Sequence, residues 1–175
     1  KSTDSGNNWV NISQSLSISN NDVRAIIKRN NIIYAGTFDG IVKSNDEGKS
    51  WQTLFSSSSV QSMCFNENYI FAAVSGVKLS SDNGSTWISA NNGLTNTSVN
   101  YIKIYDSKLY AGTFGGLFLS TNNGSSWNLI SQTLPFNIIN DFEVRNDTIY
   151  AATSGGGVYM SMDNGNNWSH ISQET

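Results

Sequence analysis

The sequence is poor in the residues that most often carry chemistry. It has one cysteine, one proline and one histidine, and only 13% of its residues are charged. A single Cys64 excludes an internal disulfide framework and says little about compartment. Its setting, Met63-Cys64-Phe65, reads as a buried structural thiol rather than a nucleophile. The lone His170 has no partner in sequence that would make a triad, and is expected at the surface. The net charge is −3 and no basic cluster occurs, which argues against nucleic-acid binding through phosphate neutralisation. No apolar run approaches the roughly 18 residues that span a membrane, so no membrane insertion is expected. No metal-ligand spacing is present, and Gly155-Gly156-Gly157 reads as a hairpin turn rather than a phosphate loop. Neither a metal nor a cofactor is therefore expected.

What is abundant is Ser, Asn and Gly (15 glycines), beside 38% hydrophobic residues. That mixture suits a turn-rich β protein rather than a disordered chain. A chain of 175 residues can bury roughly 70% of its unfolded surface around a core.

One pattern recurs five times, Ser-x-Asp-x-Gly-x-x-Trp. Its acidic and aromatic positions are Asp4 and Trp9, Asp46 and Trp51, Asp82 and Trp87, Asn122 (in place of Asp) and Trp127, and Asp163 and Trp168. All five tryptophans of the chain close one copy. The Asp or Asn side chain can accept backbone N–H bonds within the turn. The Gly supplies φ > 0 without steric cost. The Ser hydroxyl ties the incoming strand to the turn, and the Trp opens the outgoing strand and can bury against a neighbouring sheet. Calcium ligation would be the functional reading of the acids. One carboxylate per turn is too few for a site of 6–8 oxygens, so the structural reading is preferred.

Successive tryptophans (9, 51, 87, 127, 168) are 42, 36, 40 and 41 residues apart. A period near 40 with short β-branched and aromatic runs between Gly/Asn/Asp turns points to propeller blades of four antiparallel strands. In the first full repeat, strands are expected over 23–28, 32–37, 41–44 and 51–55. The whole chain is expected to be all-β, with blades over 22–55, 60–90, 98–131 and 138–172. Residues 1–13 match the end of a preceding blade, with 9–13 as an orphan outer strand. This implies an excerpt from a longer chain and a larger ring. A four-bladed ring with a spare strand, or an arc completed by a second copy, are the other options. Open blade faces would expose apolar surface and favour self-association.

The five motifs resemble the Asp-box, or bacterial neuraminidase repeat, of sialidases, other glycoside hydrolases, sortilin-type receptors and secreted bacterial proteins. The closest look is to Asn/Ser-rich Bacteroidetes-type repeat proteins, through stretches such as Asn91-Asn92-Gly93-Leu94, Tyr110-Ala111-Gly112-Thr113 and Ser120-Thr121-Asn122-Asn123-Gly124. The resemblance implies an exported protein, an extracellular or cell-surface location, and an Asp-box on the rim between third and fourth strands. That rim lies opposite the usual binding face.

A sialidase, as the resemblance implies, needs three arginines on a substrate carboxylate, a Tyr–Glu pair and an acid Asp. This chain has only Arg24, Arg29 and Arg145, and only Arg24 falls where a pocket residue is expected. Other glycoside hydrolysis needs two carboxylates about 5–10 Å apart. Asp141 and Glu143 alternate along one first strand, so they share a side roughly 6–7 Å apart; an ion pair with Lys103 is the preferred reading. No catalytic residue is assigned. The candidate binding residues are Arg24, Gln61, Asn100 and Asn140, polar second positions of the four first strands, with Phe38, Asp39, Phe114, Phe136 and Asp141 near the same end. A glycan or a protein is the expected ligand. The phenylalanines alternatively pack between blades.

Overall fold

The structure, a computed structural model, describes residues 1–13, 16, 22–56 and 58–171. The chain divides into two compact units, Lys1–Val60 and Gln61–Thr175. The described residues form strands and turns, with no helix.

The first unit holds one four-stranded antiparallel sheet in the order β1 (Val23–Arg29), β2 (Ile32–Thr37), β3 (Gly40–Ser44), β4 (Gln52–Ser56). The second unit repeats this meander three times: β5 (Ser62–Phe65) to β8 (Ile88–Ser89), β9 (Val99–Tyr105) to β12 (Asn128–Leu129), and β13 (Ile139–Arg145) to β16 (Ser169–His170). Within that unit β5, β9 and β13 lie side by side, as first strands do around a propeller axis. The expected four blades are thus present, and strand order in each follows the chain because every connection is a short hairpin turn. The end expected for the last outer strand, Ser172, lies outside the described residues.

Two sequence expectations shift. Trp51 is expected to start the fourth strand, but β4 begins at Gln52, and β8, β12 and β16 are two residues long. Beside β8 and β12 a side chain takes over one rung of the ladder. Asn91 Oδ1 accepts the Val77 N–H at 2.7 Å, and Ser131 Oγ accepts the Leu117 N–H at 2.9 Å, so these two N–H groups need no backbone acceptor from the outer segment. The Val77 and Leu117 carbonyls still accept the Ala90 and Ile130 N–H groups. Residues 9–13 are not an assigned strand. Lys1 and Val10 do exchange both backbone bonds at 2.8 Å, one rung of the expected pairing, but an isolated hairpin is marginal without inner strands.

Between the blades of the second unit lie two apolar cores. Phe71, Ala73, Val77 and Leu94 meet Val99, Ile102, Ala111 and Trp127 in one. Tyr110 and Leu117 meet Ile139, Phe142, Val144 and Ile149 in the other. The β9–β12 blade therefore has a leading face, packed on the repeat before it, and a trailing face, packed on the repeat after it. Cys64 belongs to the first core as a partly buried neighbour, and burial pushes its thiol pKa up. That suits the structural role expected for it.

The Trp-closing turns carry more of the structure than a hairpin needs. In the second of them, Ser44 Oγ donates to Asp46 Oδ1 at 2.8 Å and accepts the Gly48 N–H at 2.7 Å. Asp46 Oδ1 accepts the Ser50 N–H at 2.8 Å and Oδ2 accepts the Ser50 hydroxyl at 2.5 Å. The same bonds recur around Asp4, Asp82 and Asp163, with Asn8, Thr86 and Asn167 in the place of Ser50. Where Asn122 replaces the acid, its amide donates instead to Ser126 Oγ at 2.8 Å. The indole N–H donates to the carbonyl of the turn's own glycine at 3.0–3.1 Å in Trp9, Trp87 and Trp168, and in Trp51, Trp127 and Trp168 it reaches out of the turn. Trp127 Nε1 donates to the Ala90 carbonyl of the preceding blade at 2.7 Å, and Trp168 Nε1 is 3.3 Å from the Ile130 carbonyl. In the first unit Trp51 Nε1 donates to the Ile12 carbonyl at 2.8 Å. The turn glycine sits under this contact: Gly165 has φ +93°, and a Cβ there would come within 2.5 Å of the Ile130 carbonyl oxygen.

Two measurements follow from this. Trp127 is almost fully buried whereas Trp9 is 74% exposed. Trp127→Ala should lower the unfolding free energy by about 3–5 kcal/mol and Trp9→Ala by less than about 1 kcal/mol, read from urea denaturation. The donors around Asp4, Asp46 and Asp82 hold these carboxyls at about 2, below the ordinary 3.8, and Asp163 is lowered by the same kind of bonds. A carboxyl whose folded pKa is depressed adds stability that is complete above its unfolded value and disappears as pH falls through the folded one. The thermal midpoint should therefore drop between about pH 4 and pH 2. Asp46→Asn and Asp82→Asn, which can adopt the Asn122 arrangement on Ser50 and Thr86, should each flatten that drop. An unchanged acid limb in both variants would refute the assignment.

Candidate functional site

Each first strand opens on an irregularity or a polar residue, and three of the four carry a bulge. In β1 the pairing passes from Val23↔Thr37 to Ala25↔Gly36, leaving Arg24 unpaired in the ladder. In β9 it skips Asn100, and in β13 it skips Asn140. The bulged residue in all three is the polar second position singled out in the sequence. A bulge bends the strand and re-aims the extra side chain, which explains a polar residue directly after the apolar Val23, Val99 or Ile139. In the second blade Gln61 lies just before β5, exposed, its N–H bonded to the Ala73 carbonyl at 3.0 Å.

The turns between second and third strands are drawn to the same end of each blade. The Phe38 N–H bonds the Asp22 carbonyl, Phe114 the Ser98 carbonyl and Ser154 the Ile138 carbonyl, each at 3.0 Å. A threonine at the end of the second strand braces each turn. Thr37, Thr113 and Thr153 donate to the carbonyls of Gly40, Gly116 and Gly157 at 2.9–3.0 Å. Thr37 Oγ1 also accepts the Asp39 N–H at 3.1 Å. Sequence reasoning does not single out these threonines, although their repeat after Ala-Gly or Ala-Ala is a visible signal.

In the first unit, Arg24 is already engaged. Its Nε and Nη2 donate to Asp22 Oδ2 at 3.0 and 2.8 Å, Nη1 donates to Ser59 Oγ at 2.7 Å, and the guanidinium lies 5.4 Å from the Phe38 ring centroid. Such a cation–π stack holds the ring outward, and Phe38 is exposed. Arg24 is thus a support for Phe38 rather than an open carboxylate clamp. Asp39 is half-buried in the turn beside it.

In the second unit, Phe114 and Phe136 are exposed as well. Phe136 lies over Gly156, where a Cβ would come within 2.2 Å of the ring, and 6.1 Å from Tyr159. Asn100 serves the blade boundary, where its amide donates to the Ile139 carbonyl of the next blade at 2.9 Å. Asn140, its counterpart one repeat later, is exposed and makes no side-chain hydrogen bond among the described residues. Asp141 and Glu143 both line a cavity of about 220 Å³ with Tyr101, Phe142, Tyr150 and Val158. Glu143 pairs with Lys103, as expected, and Asp141 Oδ1 accepts the Phe142 N–H at 2.8 Å. His170 is exposed, its ring 4.9 Å from Tyr159. A larger groove of about 660 Å³ runs along the Asn122–Ser125 turn between Ala90–Asn92 and Tyr69. It lies at the opposite end of the blades, where Leu79 and Ile88 line it together with Ser and Asn side chains.

No family model and no curated protein matches the chain. Solved structures do. The extracellular domain of a putative one component system from B. thetaiotaomicron superposes with a TM-score of 0.74 at 16% identity, over 88% of this chain and 22% of that one. An ancestral GH74 enzyme gives 0.69 at 21% identity, over 88% and 24%. YCF48 bound to a D1 peptide gives 0.69 at 20% identity, over 95% and 58%. At such identities the likeness shows the β-propeller fold alone. The chain spans less than a quarter of the first two proteins.

The contrast between Asn100 and Asn140 is measurable. Asn100→Ala should cost about 1 kcal/mol of stability by leaving the Ile139 carbonyl unpaired, whereas Asn140→Ala should stay within about 0.5 kcal/mol. Paired urea titrations of the two variants read the difference.

Proposed function

We propose that the chain is a non-catalytic, exported propeller module that binds a protein or a glycan through the blade ends opposite the Trp-closing turns. One observation carries this reading: Phe38, Phe114 and Phe136 stay exposed at that end of three blades, with Gln61, Asn140 and Asp141 exposed on the same ends. Aromatic faces beside amide and carboxylate groups suit both sugar rings and peptide segments. The braced turns hold Phe38 and Phe114 in place, and Phe136 rests on Gly156, without help from a ligand, which lowers the entropy cost of binding. Export is supported by the resemblance of the turns to Asp-boxes of secreted proteins and by similarity to an extracellular domain. A protein ligand has a precedent in YCF48, whose structure holds a D1 peptide.

A second reading, part of a carbohydrate-active enzyme, is favoured by Asp141 and Glu143 lining one cavity. Against it, Glu143 is paired with Lys103 and Asp141 is tied to its own strand.

Binding to an array of immobilised glycans and to a displayed library of unstructured peptides tests the proposal. Ligands should be found whose affinity falls about tenfold or more in Phe114→Ala or Phe38→Ala, the loss expected when an anchoring aromatic is removed. Turnover of chromogenic glycosides, abolished in Asp141→Asn or Glu143→Gln, would overturn it in favour of the enzyme.

A further inference from the structure

The repeats allow each blade face to be compared with its own counterparts. On trailing faces, the aromatic of the second strand is buried in three blades: Tyr34 and Phe71 are 0% exposed and Tyr110 is 1%. The fourth, Tyr150, is 39% exposed. The first apolar residue of the third strand behaves alike, with Ile41, Val77 and Leu117 at 0% and Val158 at 42%. Leading faces give the mirror result. Met63, Ile102 and Phe142 are buried, whereas their counterpart Ile26 is 65% exposed; Val60, Val99 and Ile139 are buried, whereas Val23 is 43% exposed.

The residue types at these exposed positions are those of a blade–blade core. Turn-end surfaces of this chain are rich in Ser and Asn, yet Tyr150 and Val158 keep the chemistry of Tyr110 and Leu117, which meet Ile139 and Phe142. The structure therefore displays, one repeat earlier, what a trailing face of this kind takes: a leading face bearing Val or Ile at one position and a large apolar residue three positions on. Val23 and Ile26 are such a face. The polar key is present too. Asn100 donates to the Ile139 carbonyl across the blade boundary, and Asn140 stands at the same bulge with its amide unpaired among the described residues. The strand charges are opposite in sign: β1 carries Arg24, Lys28 and Arg29 with no acid, while β13 carries Asp141 and Glu143 with Arg145. Arg24 and Glu143 already pair with Asp22 and Lys103.

We infer that the trailing face of the β13–β16 blade docks the leading face of the β1–β4 blade of a second copy of this chain, head to tail. Tyr150 and Val158 of one copy cover Ile26 and Val23 of the other, and the Asn140 amide donates to the Val23 carbonyl. The interface is heterologous, so each copy retains one face of each kind and association can continue beyond a dimer until a ring closes. It engages the flanks of the blades, sharing only Asn140 and Asp141 with the proposed ligand-binding ends, and it stands whether or not the ligand-binding proposal does.

Sedimentation velocity of the 175-residue chain over a range of concentrations is the test. The wild type should grow past dimer as concentration rises. Ile26→Glu and Val158→Asp, both at exposed positions and checked for unchanged circular dichroism, should each weaken association at least about tenfold. An equimolar mixture of the two variants still holds one intact face of each kind, so it should form a 1:1 dimer that grows no further. A wild type that stays monomeric throughout, variants that assemble like the wild type, or a mixture that stays monomeric would each overturn the inference. Ligand binding through Phe38 or Phe114, measured on the monomeric variants, separates this result from the fate of the proposed function.

Discussion

A tryptophan held at the close of a rigid turn, its indole N–H donating to a backbone carbonyl of that turn or of the blade before it, is the contact on which the architecture rests. Trp127 reaches Ala90 in this way, and the turn must be rigid for the donor to arrive there. Rigidity comes from the serine hydroxyl and the acid, which between them satisfy several backbone and side-chain donors within one short turn. The glycine that gives the turn its left-handed backbone also removes the Cβ that would collide with the same neighbouring strand. Hairpin closure and blade stacking are therefore set by the same residues, and neither can be altered alone.

That arrangement divides each blade into two ends with different freedom. At the Trp-closing end nearly every polar atom is committed to a partner in the turn. At the other end three of the polar second positions are lifted out of the ladder by bulges, and two of the threonine-braced turns present Phe38 and Phe114 to solvent. Even there the commitments vary. Arg24 holds Phe38, Asn100 holds the next blade, while Asn140 and the aromatic rings face outward. Asp141 and Glu143 illustrate the same point for the acids, since sharing a side of one strand does not leave both carboxylates free.

Much of this is legible in the residues. The interval between tryptophans sets the blade count, and period-2 apolar runs between glycines and asparagines locate the inner strands to within a residue or two. The outer strands are less legible because their ends depend on Asn91 and Ser131 reaching back to Val77 and Leu117, contacts between residues distant along the chain. One local signal is easily overlooked. The residue before every tryptophan (Asn8, Ser50, Thr86, Ser126, Asn167) carries a polar side chain, and it belongs to the turn as much as the acid does. For the candidate site, the residues mark the polar second positions but not their bulges, because a bulge is a property of the pairing between strands.

The sequence by itself determined the turn chemistry, the repeat and the apolar faces of the strands, because each follows from residues within a few positions of one another. Only the tertiary structure decided which of those faces are covered. Tyr110 and Tyr150 are the same residue at the same place in successive repeats, yet one is buried and the other is 39% exposed. The difference lies in whether another sheet stands against them. Burial is a relation between blades, and no single repeat encodes it.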